Sequence, residues 1–169
     1  TLSNLEILTS KFSEGKSLLD IIDKTKTPMG SRLLRRWLSF PSIDVKEINL
    51  RYEIVDEISK FFVNDSQFMN GFNSIIDLER VVSKLANMRA NPRELLNLKL
   101  SLEKVDFIKN SIGNSKSKIL KKISKEFIKN DFIIKILDKI LNDDVPVNIS
   151  KGGVIRSGVN KELDKYRDL

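Results

Sequence analysis

Apolar residues recur every three or four positions along most of the chain, the spacing of one face of an α-helix. Residues 27–41 show this most clearly, because Thr27 and Pro28 predict where a helix begins and Pro41 predicts where it ends. Its apolar side chains are Met29, Leu33, Leu34, Trp37 and Leu38, and its arginines, on the other side, are Arg32, Arg35 and Arg36. The pattern predicts that Trp37 lies inside the fold, so that Trp37→Ala lowers the free energy of unfolding by about 3–5 kcal/mol.

A second helix is predicted over about residues 45–62, with an unusually wide apolar arc. Because the apolar arc leaves only a narrow polar one, the helix is predicted to pack against neighbours on two sides. Asp44 and Glu47 have the spacing of a capping box at the start of this helix. Arg51 lies inside the apolar arc, one turn after Glu47, and a buried guanidinium requires a partner. An i,i+4 ion pair between Arg51 and Glu47 is therefore favoured over a DNA contact by Arg51.

Further helices follow. Asp77 is expected to cap one of them, and Asn91 with Pro92 predicts the start of a long one. Residues 111–118 are rich in Ser, Gly and Asn and predict a loop. The next helix carries lysines on its outer side, for which solvation is favoured over DNA binding. A strongly apolar helix is predicted over about residues 131–141.

The last stretch has a different pattern. Residues 147–156 contain β-branched residues and a Gly-Gly pair, which predicts a small extended segment or hairpin. The Gly-Gly pair is expected to form a turn rather than an anion-binding nest. Asn160 then predicts the start of a final helix. The fold class predicted from the whole pattern is all-α, with one small extended segment.

Composition excludes several kinds of chemistry. The chain of 169 residues has a net charge of +7 and a pI of about 9.5, which permits but does not require contact with a polyanion. Cysteine and histidine are absent, which excludes disulfides, His-based catalytic triads and Cys/His zinc sites. The apolar runs are too short to cross a bilayer, and no GxxxxGK[ST] phosphate loop occurs. No catalytic, cofactor-binding or metal-binding residue is predicted.

Short motifs in a fixed order point to one protein family. They are Asn4-Leu5-Glu6-Ile7, Leu18-Leu19-Asp20, the segment 27–38, Ile48-Asn49-x-Arg51, Asp77-Leu78-Glu79-Arg80, Pro92-Arg93-Glu94-Leu95, Gly152-Gly153-Val154-Ile155, Gly158 and Leu163-Asp164-x-x-Arg167. With these motifs the chain resembles the core domain of MutS, the family of DNA mismatch-recognition ATPases, over almost its whole length. Ser3 and Val159 depart from the family pattern, where Arg and Tyr are common.

The resemblance implies an irregular multi-helix core, the first half of MutS domain III, at residues 1–158. Residues 159–169 would start the long lever helix that leads to the DNA clamp. Thr1 in place of an initiator Met leads us to expect a piece of a longer protein. That protein is expected to be a homodimer that binds mismatched duplex DNA in the cytoplasm, at the nucleoid, with no membrane contact. By the same resemblance it works with a MutL-type partner and uses ATP and Mg²⁺ in a domain absent from this chain.

Within such a protein, the resemblance implies that this chain is not itself an enzyme and couples the ATPase to the clamp mechanically. The residues expected to matter act through packing and capping: Trp37, Leu33, Leu34, Glu47, Arg51, Asn91 and Pro92. The candidates for DNA contact are Arg32, Arg35 and Arg36. Two alternatives stay open: the core of a MutS paralogue that acts on other DNA structures, and an autonomous basic helical DNA-binding module.

Overall fold

The computed structural model describes residues 3–146 and 149–168. Within these ranges the chain forms α-helices and one short 3₁₀ turn, and its only β-pairing is an isolated bridge, which confirms the all-α prediction. The helices are α1 (Leu18–Ile22), α2 (Pro28–Ser39), α3 (Val45–Phe62), α4 (Ser66–Gly71), α5 (Leu78–Ala86), α6 (Pro92–Asn114), α7 (Lys118–Glu126), α8 (Asp131–Ile140) and α9 (Lys161–Arg167).

Helix α6 is the central element, because α4, α5, α7 and α8 all pack against it. Its start is fixed locally. The Asn91 side chain accepts from the Glu94 amide at 2.8 Å, and the Glu94 carboxylate accepts from the Asn91 amide at 3.0 Å. Pro92 occupies the first turn, where a missing N–H costs nothing. The start at Asn91 and Pro92 that the sequence predicts is confirmed, and Glu94 completes a capping box there.

The end of α6 differs from the prediction. Residues 111–118 were expected to form a loop, but the helix continues to Asn114 and only three residues separate it from α7. Buried Ile112 holds this last turn in the core. At Gly113, an added Cβ would lie 3.1 Å from Ser124 Oγ of α7. This glycine therefore permits a close approach of two helices, a use that the sequence does not distinguish from a loop.

The largest buried cluster lies where α3, α4, α6 and α7 meet. Its members are Phe62, Phe68, Ile75, Ile108, Ile112 and Leu120. The rings of Phe62 and Phe68 are stacked with centroids 4.1 Å apart, and Phe72 meets Phe68 edge to face at 5.4 Å. A smaller cluster of Val81, Leu98 and Leu102 joins α5 to α6. Both clusters share α6, so the helices around it form one packed body.

Helices α2 and α3 are less buried than the sequence predicts. None of the residues of α2 is fully buried, and Trp37 keeps 39% of its surface exposed. Along α3 only Phe62 is fully buried, whereas Leu50, Tyr52 and Val55 face outward. The predictions of an interior Trp37 and of two-sided packing for α3 are therefore wrong for the described residues. The reason is that α3 makes its main packing contacts on one side, with α4 and α7, and Leu50, Tyr52 and Val55 lie outside them.

The extended segment predicted for residues 147–156 is confirmed only in part. Residues 149–151 form a 3₁₀ turn, and Gly152 and Gly153, at φ of +69° and +75°, reverse the chain. Ile155 then forms an antiparallel bridge with Leu141. Val147 and Asn148 lie outside the described residues. The extended part is thus short, and it leads into α9, whose start Asn160 caps as predicted.

Candidate functional site

The corner between α2 and α3 brings several of the predicted residues together. The guanidinium of Arg51 lies 3.9 Å from the centre of the Trp37 ring, in cation–π geometry. Arg51 Nη2 also lies 2.5 Å from Glu47 Oε1, which confirms the predicted i,i+4 ion pair. Leu34 is half-buried, whereas Leu33 is exposed on the same helix. Arg51 therefore orders α3 and supports the Trp37 ring from outside the core.

Glu47 keeps its predicted partner Arg51 but not the predicted one at Asp44. Asp44 caps α3 by accepting from the Lys46 amide at 2.9 Å, so the expected capping box between Asp44 and Glu47 does not form. Instead, the Ser42 hydroxyl donates to Glu47. This hydrogen bond, together with the one from Arg51, lowers the pKa of Glu47 below its ordinary value. Glu47 thus ties the loop before α3 to the first two turns of that helix.

Beside this corner lies an open groove of about 350 Å³, which is mainly apolar. Its lining residues are Trp37, Pro41, Ser42, Ile48, Arg51, Tyr52 and Val55. The groove holds no cluster of titratable groups and only one charged side chain, Arg51, which is already paired. Its chemistry is therefore that of a contact surface.

Arg32 joins α2 to the start of α5. Its guanidinium lies 2.5 and 2.9 Å from the two carboxylate oxygens of Asp77 and 2.5 Å from Glu79. These hydrogen bonds lower the pKa of Asp77, which also caps α5 by accepting from the Arg80 amide at 3.2 Å. Arg32 is therefore occupied by carboxylates of its own chain.

Arg35 and Arg36, the other two candidates for DNA contact, are exposed. Neither forms an ion pair with a carboxylate of residues 3–146 or 149–168. A role in DNA contact stays a prediction for all three arginines. The structure distinguishes them, since only Arg32 would have to give up existing partners.

The corner between α5 and α6 is held by the capping residues that the sequence indicates. Lys84, in the last turns of α5, forms an ion pair with Glu94 of the capping box. The hydrogen bond from Lys84, together with the one from the Asn91 amide, lowers the pKa of Glu94. One carboxylate therefore completes the cap of α6 and fixes the angle at which α5 arrives.

The base of α9 is tied to the core by two arginines. Arg156 donates from Nε to the Leu141 carbonyl at 3.2 Å and pairs with Asp143 at 2.7 Å. Arg167, near the other end of α9, donates to the Ile155 carbonyl at 2.8 Å. Backbone hydrogen bonds from Arg156 to Ile140 and from Asn142 to Val154 complete the connection. We call residues 140–143 and 154–167, with these contacts, the α9 joint.

One ion pair, formed by a buried lysine, is not among the sequence predictions. Lys99 of α6 is only 9% exposed, and its Nζ lies 2.5 Å from Asp138 of α8. A signal was present, because Lys99 stands four residues after Leu95 and three before Leu102, inside the apolar stripe of α6. Its partner could not be found that way, since Asp138 lies 39 positions further along the chain.

Among the described residues no three acidic side chains gather as they would around a metal ion, and the sequence has no GxxxxGK[ST] phosphate loop. None of the helices described has the length and apolar character needed to cross a membrane. What the residues build is a set of helix corners and one joint, all of them made from caps, ion pairs and packing.

The architecture is that of a helical packing module whose distinctive residues fix angles between helices. The chain belongs to the MutS domain III family, since residues 1–169 match the model of that family in full.

Its relatives are described as DNA mismatch repair proteins. Over its whole length, the chain is 41% identical to the DNA mismatch repair protein MutS of Parabacteroides distasonis and 39% identical to that of Phocaeicola vulgatus. It covers 19% of the length of each of these two proteins. It is 37% identical to the protein of the same description from Caldicellulosiruptor saccharolyticus, of which it covers 20%. The chain thus spans about a fifth of the length of these relatives.

Proposed function

We propose that this chain is a stiff coupling element of a MutS-type DNA mismatch repair protein. It passes movement between a part of that protein that uses ATP and Mg²⁺ and a part that holds mismatched duplex DNA, with residues 159–169 as the root of a lever. Membership of the MutS domain III family supports the setting. The homodimeric state and a MutL-type partner are proposed for the longer protein on the same ground.

The observation that carries the coupling role is the α9 joint. A helix of seven residues is too short to be stable or to hold a direction by itself. Here, Arg167, the last residue of α9, donates to the Ile155 carbonyl, and Asp164, in the middle of the helix, accepts from the Gly158 amide before its start. Because Ile155 is bridged to Leu141, a shift of α8 is passed to α9 through hydrogen bonds rather than through a loose linker.

The packed body behind the joint supports the same role. Helix α6 is contacted by four other helices, and its buried cluster contains stacked aromatic rings. Close-packed interiors have low compressibility and transmit displacement. Displacement applied at α5 would therefore reach α8 and the joint through α6 with little loss.

The relatives support a repair protein over a paralogue that acts on other DNA structures, since each is described as a DNA mismatch repair protein. The resemblance of the chain extends over its whole length, including the motif that forms the joint.

The test uses a chimera in which this chain replaces the matching segment of the Parabacteroides distasonis protein. With both Arg156→Ala and Arg167→Ala, we expect binding to a mismatched duplex without nucleotide to be kept. The acceleration of DNA release by ATP should fall about fivefold or more, the lower end of ordinary coupling between sites. Fluorescence anisotropy of a labelled duplex measures both quantities.

The control is Arg89→Ala in the same chimera, since Arg89 is exposed and its side chain has no ion-pair partner among the described residues. This variant should release DNA like the parent. Unchanged release by the double variant would contradict the proposal. So would an equal loss of mismatch binding and ATP response, since that result would mean that the joint serves only folding.

A further inference from the structure

The positive charge of the chain is concentrated in α7 and the residues that flank it. Residues 115–130 contain six lysines and one glutamate, so this segment carries +5 of the net charge of +7. Four of the lysines lie on neighbouring turns of α7, and all are exposed: Lys118, Lys121, Lys122 and Lys125. We call these four the lysine stripe. The rest of the chain is close to neutral.

The arrangement of the lysine stripe is unfavourable for the helix itself. Lysines three or four residues apart on a helix are neighbours and repel one another. Lys118 also stands in the first turn of α7, where a positive charge opposes the helix dipole and no acidic residue compensates it. None of the four forms an ion pair with a carboxylate in the described part of the chain. The stripe therefore has no ion-pair partner among the described residues and stays available to a partner outside them.

The other face of α7 limits what that partner can be. Leu120 is 1% exposed in the main cluster, and Ile119, Ile123 and Phe127 pack against the same cluster. A helix that binds a membrane surface inserts its apolar face into the lipid boundary. Here that face is already occupied by α6 and α3, so α7 cannot bind lipid in this way.

The composition of the stripe also argues against a protein partner. Protein interfaces depend on buried aromatic and arginine anchors and are depleted in lysine. The stripe contains neither an aromatic residue nor an arginine. Its ammonium groups also lack the paired donors that recognise a particular base edge. Lys118 and Lys125 lie about 10 Å apart along the helix axis, so the four charges meet more than one phosphate of a backbone. This chemistry fits sequence-independent contact with nucleic-acid phosphates.

We propose that the lysine stripe of α7 binds the phosphate backbone of duplex DNA. The contact is independent of sequence and of mismatches, and it adds electrostatic affinity. It involves different residues from the α9 joint, and it does not depend on the coupling role proposed above.

The test compares two variants of the 169-residue chain with equal charge. In the first, the four stripe lysines are changed to Gln. In the second, four exposed lysines outside α7, the α9 joint and the ion pairs of the described residues are changed to Gln: Lys24, Lys46, Lys135 and Lys139. Binding to a labelled 30-base-pair duplex is measured by anisotropy at several KCl concentrations, after circular dichroism has shown equal helix content.

For the parent chain we expect log K to fall with log [KCl] with a slope of about −3 to −4. The stripe variant should lose about three units of slope and bind at least tenfold more weakly at low salt, whereas the control variant should keep both. Changing the four stripe lysines to Arg should restore binding, because the charge is kept.

Three outcomes would overturn the proposal. The parent chain could show no salt-dependent binding to the duplex. The two Gln variants could be weakened equally, which would assign the effect to net charge alone. The parent could also bind vesicles with 30% phosphatidylserine, or a poly-glutamate peptide, as tightly as the duplex at equal salt and charge concentration, which would assign the stripe to a different partner.

Discussion

Single residues in this chain act mainly by fixing where helices start and how they meet. Thr27, Asp77, Asn91 and Asn160 each accept from an amide of the first turn that follows. Each such cap contributes about 1 kcal/mol, because it satisfies a backbone donor that the helix leaves unpaired. Arg32 and Arg51 then set helix positions through paired guanidinium groups.

The two aromatic residues Trp37 and Phe68 should differ in their importance for stability. Phe68 is 2% exposed and stacked in the core, so Phe68→Ala should lower the free energy of unfolding by about 3–5 kcal/mol. Trp37 is half-exposed, and its replacement removes mainly a cation–π contact with Arg51. Trp37→Ala should therefore lower the free energy of unfolding by only about 1–2 kcal/mol. Urea unfolding followed by circular dichroism measures both, and an equal loss would show that Trp37 is buried in solution.

For single residues, the sequence predicts those contacts that depend on close neighbours in the chain. Caps depend on residues two or three positions apart, and the i,i+4 pair of Arg51 and Glu47 depends on one helical turn, so both could be predicted. The exposure of Trp37 could not, because it depends on which elements cover α2. Asp44 shows the limit of a local pattern, since Ser42 competes for Glu47 and removes the expected capping box.

Among the elements, α6 and α8 are joined by the pair of Lys99 and Asp138. The two partners are unequal: Lys99 is buried, whereas Asp138 keeps 59% of its side chain exposed. Removing a buried charge and removing its partner are therefore different changes.

Lys99→Met should change the free energy of unfolding by less than about 1 kcal/mol, because the new side chain fills an apolar site and Asp138 remains solvated. Asp138→Ala should be more harmful, by about 1–2 kcal/mol, since it leaves a buried ammonium with only Glu103, 4.0 Å away. Thermal and urea unfolding of both variants give the comparison. A larger loss for Lys99→Met would contradict this account of the pair.

The elements also show why helix ends are harder to predict than helix starts. Gly113 and its neighbours have loop composition, yet packing against Ser124 of α7 extends α6 through them. The extended segment near the C-terminus was predicted from β-branched residues. Its pairing with Leu141 could be seen only once α8 was placed.

For the whole molecule, several carboxylates should make stability dependent on pH. A hydrogen bond donated by Arg32 is the main cause that lowers the pKa of Asp77 from its ordinary 3.8. Hydrogen bonds donated by Ser42 and Lys84 likewise lower the pKa values of Glu47 and Glu94 from their ordinary 4.5. A carboxylate with a lowered folded-state pKa stabilises the fold above its unfolded-state pKa. That contribution is lost as the pH falls through the folded-state value.

We therefore expect the urea midpoint to be constant from about pH 7 to pH 5 and to fall below pH 4.5. Asp77→Asn should weaken this dependence, because Asn still caps α5 but no longer titrates. Asp144→Asn is the control, since Asp144 is exposed and outside the ion pairs of the described residues. A midpoint that rises below pH 4.5 would have the wrong sign for these pKa shifts.

Trp37 is the sole tryptophan of the sequence, and it stands at the edge of an apolar groove with a guanidinium against its ring. Its indole fluorescence consequently reports on one place, the corner between α2 and α3. Any surface that covers this groove will dehydrate the indole and move its emission to shorter wavelength, so the molecule carries its own optical sensor of docking at that corner.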